Sequence, residues 1–282
     1  MRNRLLAPPC GARFWERNSA MTDKIQLVKE GAIGRLIFNN PGKLNALSLD
    51  MWEGMGRGIE QFEADPEIRV IVLSGAGDKA FVAGADVSKY EEERMGENAQ
   101  EHYAETGWRA MMALYNSSKT TIAALNGYCY GGGISVAVCC DLRIGSSTLQ
   151  VAQPALRYGI GYRYKSLRLV VDVVGAAPTK ELLLGGMVWD AEACARKGFV
   201  ASIHTAGAEF DDYVGKTAER IAVGAPLTAK QCKFSLNTIV KDPDQRDLET
   251  NERLFLDCYA SEDYKEGVRA FAEKRKPLFT GK

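Results

Sequence analysis

Three consecutive glycines, Gly131-Gly132-Gly133, separate the short apolar, β-branched run Thr120 to Leu125 and its Asn126-Gly127 turn from the apolar segment Ile134-Ser135-Val136-Ala137-Val138. A strand that runs into glycines and continues as a helix leaves the first helical N–H groups without intrahelical partners, pointing back at the glycines. With no side chain at Gly132, a carbonyl oxygen can approach its backbone N–H, which is the arrangement that holds an oxyanion. A tight turn needed only for packing is the other reading of the same three residues.

The surrounding pattern is an alternation of strands and helices. Ile25 to Val28 and Ile33 to Phe38 read as a hairpin across Glu30-Gly31. Ser48 can cap a helix in which Leu49, Trp52, Met55, Ile59 and Phe62 recur at three- and four-residue spacing, until Asp65-Pro66 stops it. Val70 to Leu73 reads as a buried strand ended by Gly75 and Gly77, and Gln100 to Tyr115 as a helix. This alternation predicts α/β architecture with the sheet inside and helices outside. Beyond Pro178 the pattern turns to almost continuous helical periodicity, with Pro226 opening one helix and Pro243 interrupting before another. No repeat of fixed period and no low-complexity linker stands out. The expected organisation is an extension over residues 1–20, an α/β core over 21–210 and a helical module over 211–282.

Charge and length narrow the class. The 282 residues carry 36 Lys+Arg against 36 Asp+Glu, and no half of the chain has the long basic run that binds nucleic acid. No uninterrupted apolar stretch reaches the roughly 18–20 residues that span a bilayer, so no membrane partner is expected. Seven cysteines without C-x-x-C spacing fit reduced thiols in a cytoplasmic or organellar compartment. The two histidines, His102 and His204, have no neighbour at ligand spacing, and no metal site is expected. Residues 1–20 hold four arginines against one glutamate before Met21. This reads either as an organellar presequence, which would place the protein in a matrix, or as translation from a start upstream of the native one.

A second small-residue corner lies at Phe81-Val82-Ala83-Gly84-Ala85-Asp86, where Asp86 can cap a short helix and leave the Ala85 N–H exposed. Two such corners, each ending an apolar strand, can supply the pair of converging donors that enolate chemistry requires.

Four ordered motifs carry a family resemblance: Asn40-Pro41-Gly42-Lys43-Leu44-Asn45-Ala46-Leu47-Ser48, Ala83-Gly84-Ala85-Asp86, Asn126 through Gly133, and Cys140-Asp141-Leu142-Arg143. Together with Gln153-Pro154, Lys197-Gly198-Phe199-Val200 and the segment Ala260 to Phe279, they make the chain similar to the crotonase, or enoyl-CoA hydratase/isomerase, superfamily. The resemblance implies a core of ββα turns wound in a spiral, a C-terminal helical trimerisation module, and homotrimers that often pair into hexamers. It implies an acyl-CoA thioester as substrate, with coenzyme A entering as part of it and no permanently bound cofactor. The thioester carbonyl would be held by the N–H groups of Ala85 and Gly132. Lys43 and Ala46, with Ala83, Ala85, Asp86, Val87 and Ser88, would embrace the coenzyme, Lys43 contacting phosphate. Lys274, Arg275 and Lys276 fall where the family approaches the coenzyme, or are a solvated charged face.

The sequence departs from the family where hydratases carry two glutamates that act as acid and base. Those positions are Ser135 and Ala155, and a third position that sometimes carries a carboxylate is Arg163. Ser135 without a partner is no base at neutral pH, and Ala155 has no proton to exchange. The neighbourhood instead offers Tyr130, Arg157, Tyr158, Tyr162, Arg163 and Tyr164. A tyrosine, Tyr162 among them, can donate a proton or position water, and an arginine can hold a carboxylate; these residues can equally fill a pocket or a subunit contact. Glu91, Glu92 and Glu93 follow the Ala85 corner, as a mobile catalytic loop or as a solvated helix face. The resulting expectation is an acyl-CoA enzyme that stabilises a thioester enolate without the two glutamates. Decarboxylation of a malonyl-type thioester and non-catalytic acyl-CoA binding are the alternatives.

Overall fold

The computed structural model describes residues 22–95 and 97–282; the extension over residues 1–20 lies outside the described residues. The chain opens with the hairpin β1 (Ile25–Glu30) and β2 (Ile33–Phe38), followed by helix α1 (Leu49–Ala64). Next come β3 (Val70–Gly75), β4 (Ala80–Ala83), the short α2 (Tyr90–Arg94) and α3 (Ala99–Tyr115). Strands β5 (Thr120–Leu125) and β6 (Tyr128–Tyr130) lead into α4 (Gly132–Ala137), and β7 (Leu142–Ser146) and β8 (Gln150–Ala152) into α5 (Ala155–Tyr158), α6 (Tyr164–Val174) and α7 (Ala176–Leu184). The chain ends with β9 (Val188–Trp189), α8 (Ala191–Arg196), β10 (Ser202–His204), α9 (Ala208–Ala222), α10 (Pro226–Ile239), α11 (Leu248–Ala260) and α12 (Glu262–Ala272).

Two sheets share these strands, one in the order β1-β2-β3-β5-β7-β10 and the other β4-β6-β8-β9. Each of the pairs β3-β4, β5-β6 and β7-β8 gives its first strand to the large sheet and its second to the small one, followed by helix. This is the ββα spiral that the family resemblance implies. The connections differ greatly in length, which is why no fixed period is visible in the sequence.

The central strands β3 and β5 of the large sheet are buried on both faces, as expected where helices or a second sheet cover each side. On β3, Ile71 and Leu73 join the core that holds α1 and α3, while Val70 and Val72 face Phe210, Val214 and Ala218 of α9. Helix α9 therefore seals one face of the large sheet. Helix α10 is tied to the amino ends of β5 and β7 by a largely buried ion pair, Lys233 to Asp141 at 2.9 Å, and the same carboxylate accepts from the Thr121 amide at 2.7 Å.

Two local expectations are corrected. Ser48 occupies the position before α1 in an extended conformation, but its hydroxyl donates to the Asp50 carboxylate, and the Leu49 amide finds the Glu93 carboxylate at 3.1 Å instead. Helical periodicity beyond Pro178 is interrupted by β9 and β10, which extend the small and large sheets. Strands of two and three residues are too short to print a period of two on the sequence.

Candidate active site

The register of the small sheet assembles the site. Strand β6 lies parallel between β4 and β8, with Ala83 opposite Tyr130 and Tyr130 opposite Ala152. The segments leaving these strands, Gly84-Ala85, Gly131-Gly132 and Gln153-Pro154-Ala155, therefore emerge side by side at one edge, the carboxyl end where parallel sheets take ligands. The Gly131 amide donates back to the Ala152 carbonyl at 3.1 Å, fixing the second exit to the third.

The three glycines serve different ends. Gly131 has φ of 51°, a left-handed conformation that favours glycine. At Gly133 a Cβ would lie 2.3 Å from the Val82 carbonyl oxygen, so the backbones touch there. Gly132 is less constrained: its Cβ would meet Leu47 Cδ1 at 3.1 Å and the Gly84 carbonyl carbon at 3.8 Å. Gly132 thus stands beside the Gly84-Ala85 corner, and as the first residue of α4 its N–H has no place in the helical ladder.

The other corner is held from the opposite side. Leu47 forms a parallel bridge with Ala85, its N–H donating to the Gly84 carbonyl and its carbonyl accepting from the Asp86 N–H, each at 2.8 Å. Alternation along the extended segment turns the Ala85 N–H away from Leu47, toward the side on which β6 and Gly132 lie. Asp86 caps the following 3-10 turn by accepting from the Ser88 amide at 3.1 Å, as its place in the sequence predicts.

Lys43 reaches the same turn, its Nζ 3.0 Å from the Asp86 carboxylate and 2.6 Å from the Ser88 hydroxyl. Burial pushes the Asp86 pKa up, but hydrogen bonds from the Ser88 hydroxyl, Lys43 and the Ser88 amide outweigh it, and the net direction is down. The loop before it rests on Asn45, fully buried, whose amide donates to the Ala76 and Ala80 carbonyls at 3.0 and 2.8 Å. Ala46 is buried beside it, Ala83 ends β4, and Val87 is 64% exposed above the turn. Structure thus gathers Lys43, Ala46, Ala83, Ala85, Asp86, Val87 and Ser88 on one rim.

A narrow cleft of about 10 Å³ lies beside α4. Ser135 and Tyr162 both line it, together with Ile134, Gln153, Ser166, Leu167, Val170, Leu182 and Leu183. Ala155 is buried at the start of α5, two residues beyond Gln153. Gln153 is the residue that sequence reasoning passed over. It is 6% exposed, and its Oε1 has no hydrogen-bond partner. Its only signal in the sequence is its place directly before Pro154.

Other candidates are placed elsewhere. The Arg163 guanidinium pairs with Glu105 at 2.5 Å, and the Tyr130 hydroxyl donates to Gln150 at 3.0 Å. Tyr158 and Tyr164 are exposed, and Arg157 lies over the Tyr158 ring. Of the three glutamates, Glu93 accepts from the Leu49 amide, a structural role. Arg275 is committed to Glu266 and Glu273, at 2.6 and 2.5 Å. His204 stacks on Tyr213 with ring centroids 3.6 Å apart.

Comparison with known proteins shows the family of the chain. Residues 28–282 match the family model described as enoyl-CoA hydratase/isomerase. The short-chain-enoyl-CoA hydratase of Clostridium acetobutylicum is 32% identical over 254 residues, covering 90% of this chain and 96% of that protein. The crotonyl-CoA hydratase of Syntrophomonas wolfei is 31% identical, covering 92% and 99%. Among solved structures, an enoyl-CoA hydratase/carnitine racemase from Magnetospirillum magneticum superposes with a TM-score of 0.87 at 36% identity, covering 93% of this chain and 97% of that one. The chain belongs to the enoyl-CoA hydratase/isomerase family of the crotonase superfamily.

Proposed function

We propose that the protein is an acyl-CoA enzyme that stabilises the enolate of a thioester between the N–H groups of Ala85 and Gly132. The observation that carries this reading is the juxtaposition of the two corners, with Gly132 against Gly84 and the Ala85 N–H turned toward it. Two fixed backbone donors lower the energy of a developing oxyanion without reorganising as it forms, and one such donor contributes roughly 10²–10³ in turnover. Lys43 and the Asp86-Ser88 turn hold the coenzyme on the rim. Lys43 is half exposed, so it can turn from Asp86 to a phosphate as a point charge.

Proton handling falls to uncharged groups. Ser135 stands where a hydratase of this family carries a glutamate, and Ala155 replaces the other. The Ser135 and Tyr162 hydroxyls, which line the same cleft, position water or pass a proton. Hydration of a simple enoyl thioester is therefore slow or absent, and the preferred reaction needs little help from a base. A homotrimer, or a dimer of trimers, is supported by apolar residues left exposed on the last helices, Leu236, Ile239, Phe255 and Phe271 among them. Its test is the mass in solution.

The function is tested by binding and turnover of crotonyl-CoA, butyryl-CoA and malonyl-CoA with purified protein. We expect measurable affinity for CoA thioesters and little loss of enoyl absorbance. Absence of any thioester binding refutes the reading, and hydration at rates ordinary for enzymes refutes the assignment of proton handling to uncharged groups.

A further inference from the structure

The last strand of the large sheet carries a group of side chains that the small-sheet site does not use. Ser202 and His204 sit two apart on β10, so they share one face of the strand. His204 Nε2 lies 3.0 Å from the Ser202 hydroxyl, and Nδ1 lies 3.8 Å from the Glu209 carboxylate in the first turn of α9. The imidazole stacks on Tyr213, with 23° between the ring planes, and is 17% exposed. Glu209 is oriented in turn. Hydrogen bonds from the Thr205 hydroxyl and amide outweigh the cost of burial and, with the nearby imidazole, hold its carboxyl below the usual range. Packing asks only for the stack on Tyr213. It does not ask for a hydroxyl at one ring nitrogen and an oriented carboxylate beside the other, which is the order of nucleophile, base and orienting acid.

The backbone supplies a fourth part. The Ala201 amide donates to the Arg143 carbonyl of β7 at 2.9 Å, so alternation turns the Ser202 N–H to the opposite side. That side is the sheet's edge, since β10 is its last strand among the described residues. The Ser202 N–H is therefore a donor on the nucleophile's own residue, placed where a tetrahedral oxyanion forms. A carboxylate beside Nδ1 favours the proton on that nitrogen and leaves Nε2 to accept from the Ser202 hydroxyl.

We propose that Ser202, His204 and Glu209 form a second catalytic site, which hydrolyses small carboxylic esters. Ser202 Oγ adds to the ester carbonyl carbon while its proton passes to His204 Nε2. The adduct collapses, the proton goes to the departing alkoxide, and the acyl group stays on Ser202 as an ester. Water then adds to that ester as its own proton passes to Nε2, and the acid departs as this proton returns to Ser202 Oγ. Ser202 and His204 are the catalytic residues; Glu209 is a positioning residue that holds the tautomer and steadies the imidazolium. One backbone donor on an open strand edge suits esters with good leaving groups and not amides, whose cleavage asks more of the oxyanion donors.

A fluorophosphonate probe and p-nitrophenyl acetate test this on the whole purified protein. The probe phosphonylates a serine whose hydroxyl is activated, with fluoride leaving and the serine proton taken by the base, and peptide mass spectrometry locates the label. Label on Ser202 is expected in the parent, together with repeated turnover of the acetate ester. In Ser202→Ala both are lost, and in His204→Gln both slow by about 10²-fold or more, the contribution of a positioned general base. Nitrogen-15 shifts of His204, one of two histidines in the chain, should show the proton on Nδ1 in the parent and a mixture of tautomers in Glu209→Gln. The parent alone can overturn the proposal, whatever the variants do to the fold: absence of label on Ser202 does so. Labelling of Ser202 at an unchanged rate in His204→Gln overturns activation by the imidazole. Ester turnover equal in Ser202→Ala and the parent places the chemistry elsewhere and overturns the site, and labelling without repeated turnover overturns hydrolysis. A proton on Nε2 in the parent overturns the role of Glu209. None of these outcomes bears on the thioester site, which stands on the other sheet.

Discussion

The Tyr103 hydroxyl donates to the Leu47 carbonyl oxygen at 3.2 Å, in a part of the core where Tyr103 is 8% and Leu47 1% exposed. The same hydroxyl accepts from Trp52 Nε1 at 3.0 Å. Leu47 is the residue that bridges to Ala85, and its side chain and the Trp52 ring lie against Gly132. One phenol on α3 therefore braces both corners of the proposed oxyanion hole from behind.

Replacing Tyr103 by Phe removes an acceptor from the buried Trp52 indole and a donor from Leu47. The expected loss of stability is about 1–3 kcal/mol, the cost of an unsatisfied buried group, read as a lower urea midpoint at unchanged slope. Turnover should fall more than thioester affinity, since the brace acts on the donors and not on the coenzyme rim. A Phe variant as stable and as active as the parent sinks the bracing role.

Gly132 offers a clean separation of N–H from fold. As the first residue of α4 it tolerates proline's backbone geometry and has no ladder bond to lose. Gly132→Pro removes the N–H and should lower turnover by at least roughly 10²–10³. Gly132→Ala keeps it, and the only tight approach of its Cβ is to the end of the Leu47 side chain, at 3.1 Å, with Trp52 and Gly84 at ordinary contact distance. The alanine variant should therefore retain most of the activity. Equal activities in the two variants would refute the donor assignment.

Ser135→Glu combined with Ala155→Glu should add hydratase character. Ser135 lines the cleft, and Ala155 follows Gln153 on the neighbouring exit. Each positioned acid or base can contribute about 10²–10⁴ in rate. Crowding two carboxylates raises the pKa of one, so the gain should fall well short of a dedicated hydratase. The check is loss of crotonyl-CoA absorbance between about pH 5 and 9, a span that covers raised carboxylate values; a folded, thioester-binding variant with no gain at any pH contradicts the placement of both positions.

The Lys43-Asp86 pair has a pH signature. Asp86 is held below its ordinary range, so its contribution to stability is complete above the unfolded value near pH 3.9 and is lost as the pH falls through the lower folded value. Lys43→Met removes a hydrogen bond and a charge, which raises the folded pKa toward the unfolded one, so the variant is less stable at neutral pH and has less stability to lose on the acid side. Urea midpoints measured from neutral pH downward should start lower in the variant and fall less below about pH 4 than those of the parent. The same variant should bind CoA thioesters more weakly and with less dependence on salt.

Much of this arrangement is legible in the sequence because local pattern encodes it. Val70 to Leu73 is apolar at every position because both faces of β3 are covered, and that run is visible without the fold. Asp86 announces its cap, and the glycine triplet announces a close approach, though not that Gly131, Gly132 and Gly133 answer to three different constraints. What stays hidden depends on pairing across distance. Arg163 looks available until Glu105, 58 residues away, is seen to hold it. Tyr103 carries no motif, and its brace on Leu47 spans 56 positions. Gln153 is conspicuous only as an acceptor with no partner, and the absence of a partner is a property of the fold alone.

The three exits from the small sheet also bear on how such a chain can change over generations. In the proposed site Ala85 and Gly132 act through main-chain atoms, which most point mutations leave in place, so a capacity to stabilise an enolate there would be inherited with the scaffold itself. Positions 135 and 155 present side chains on separate stretches of polypeptide, and each is open to replacement without removing a main-chain donor. A lineage built this way can exchange one proton-handling set for another by single substitutions while the carbanion remains supported throughout, so passage from one reaction to the next need not cross an inactive ancestor.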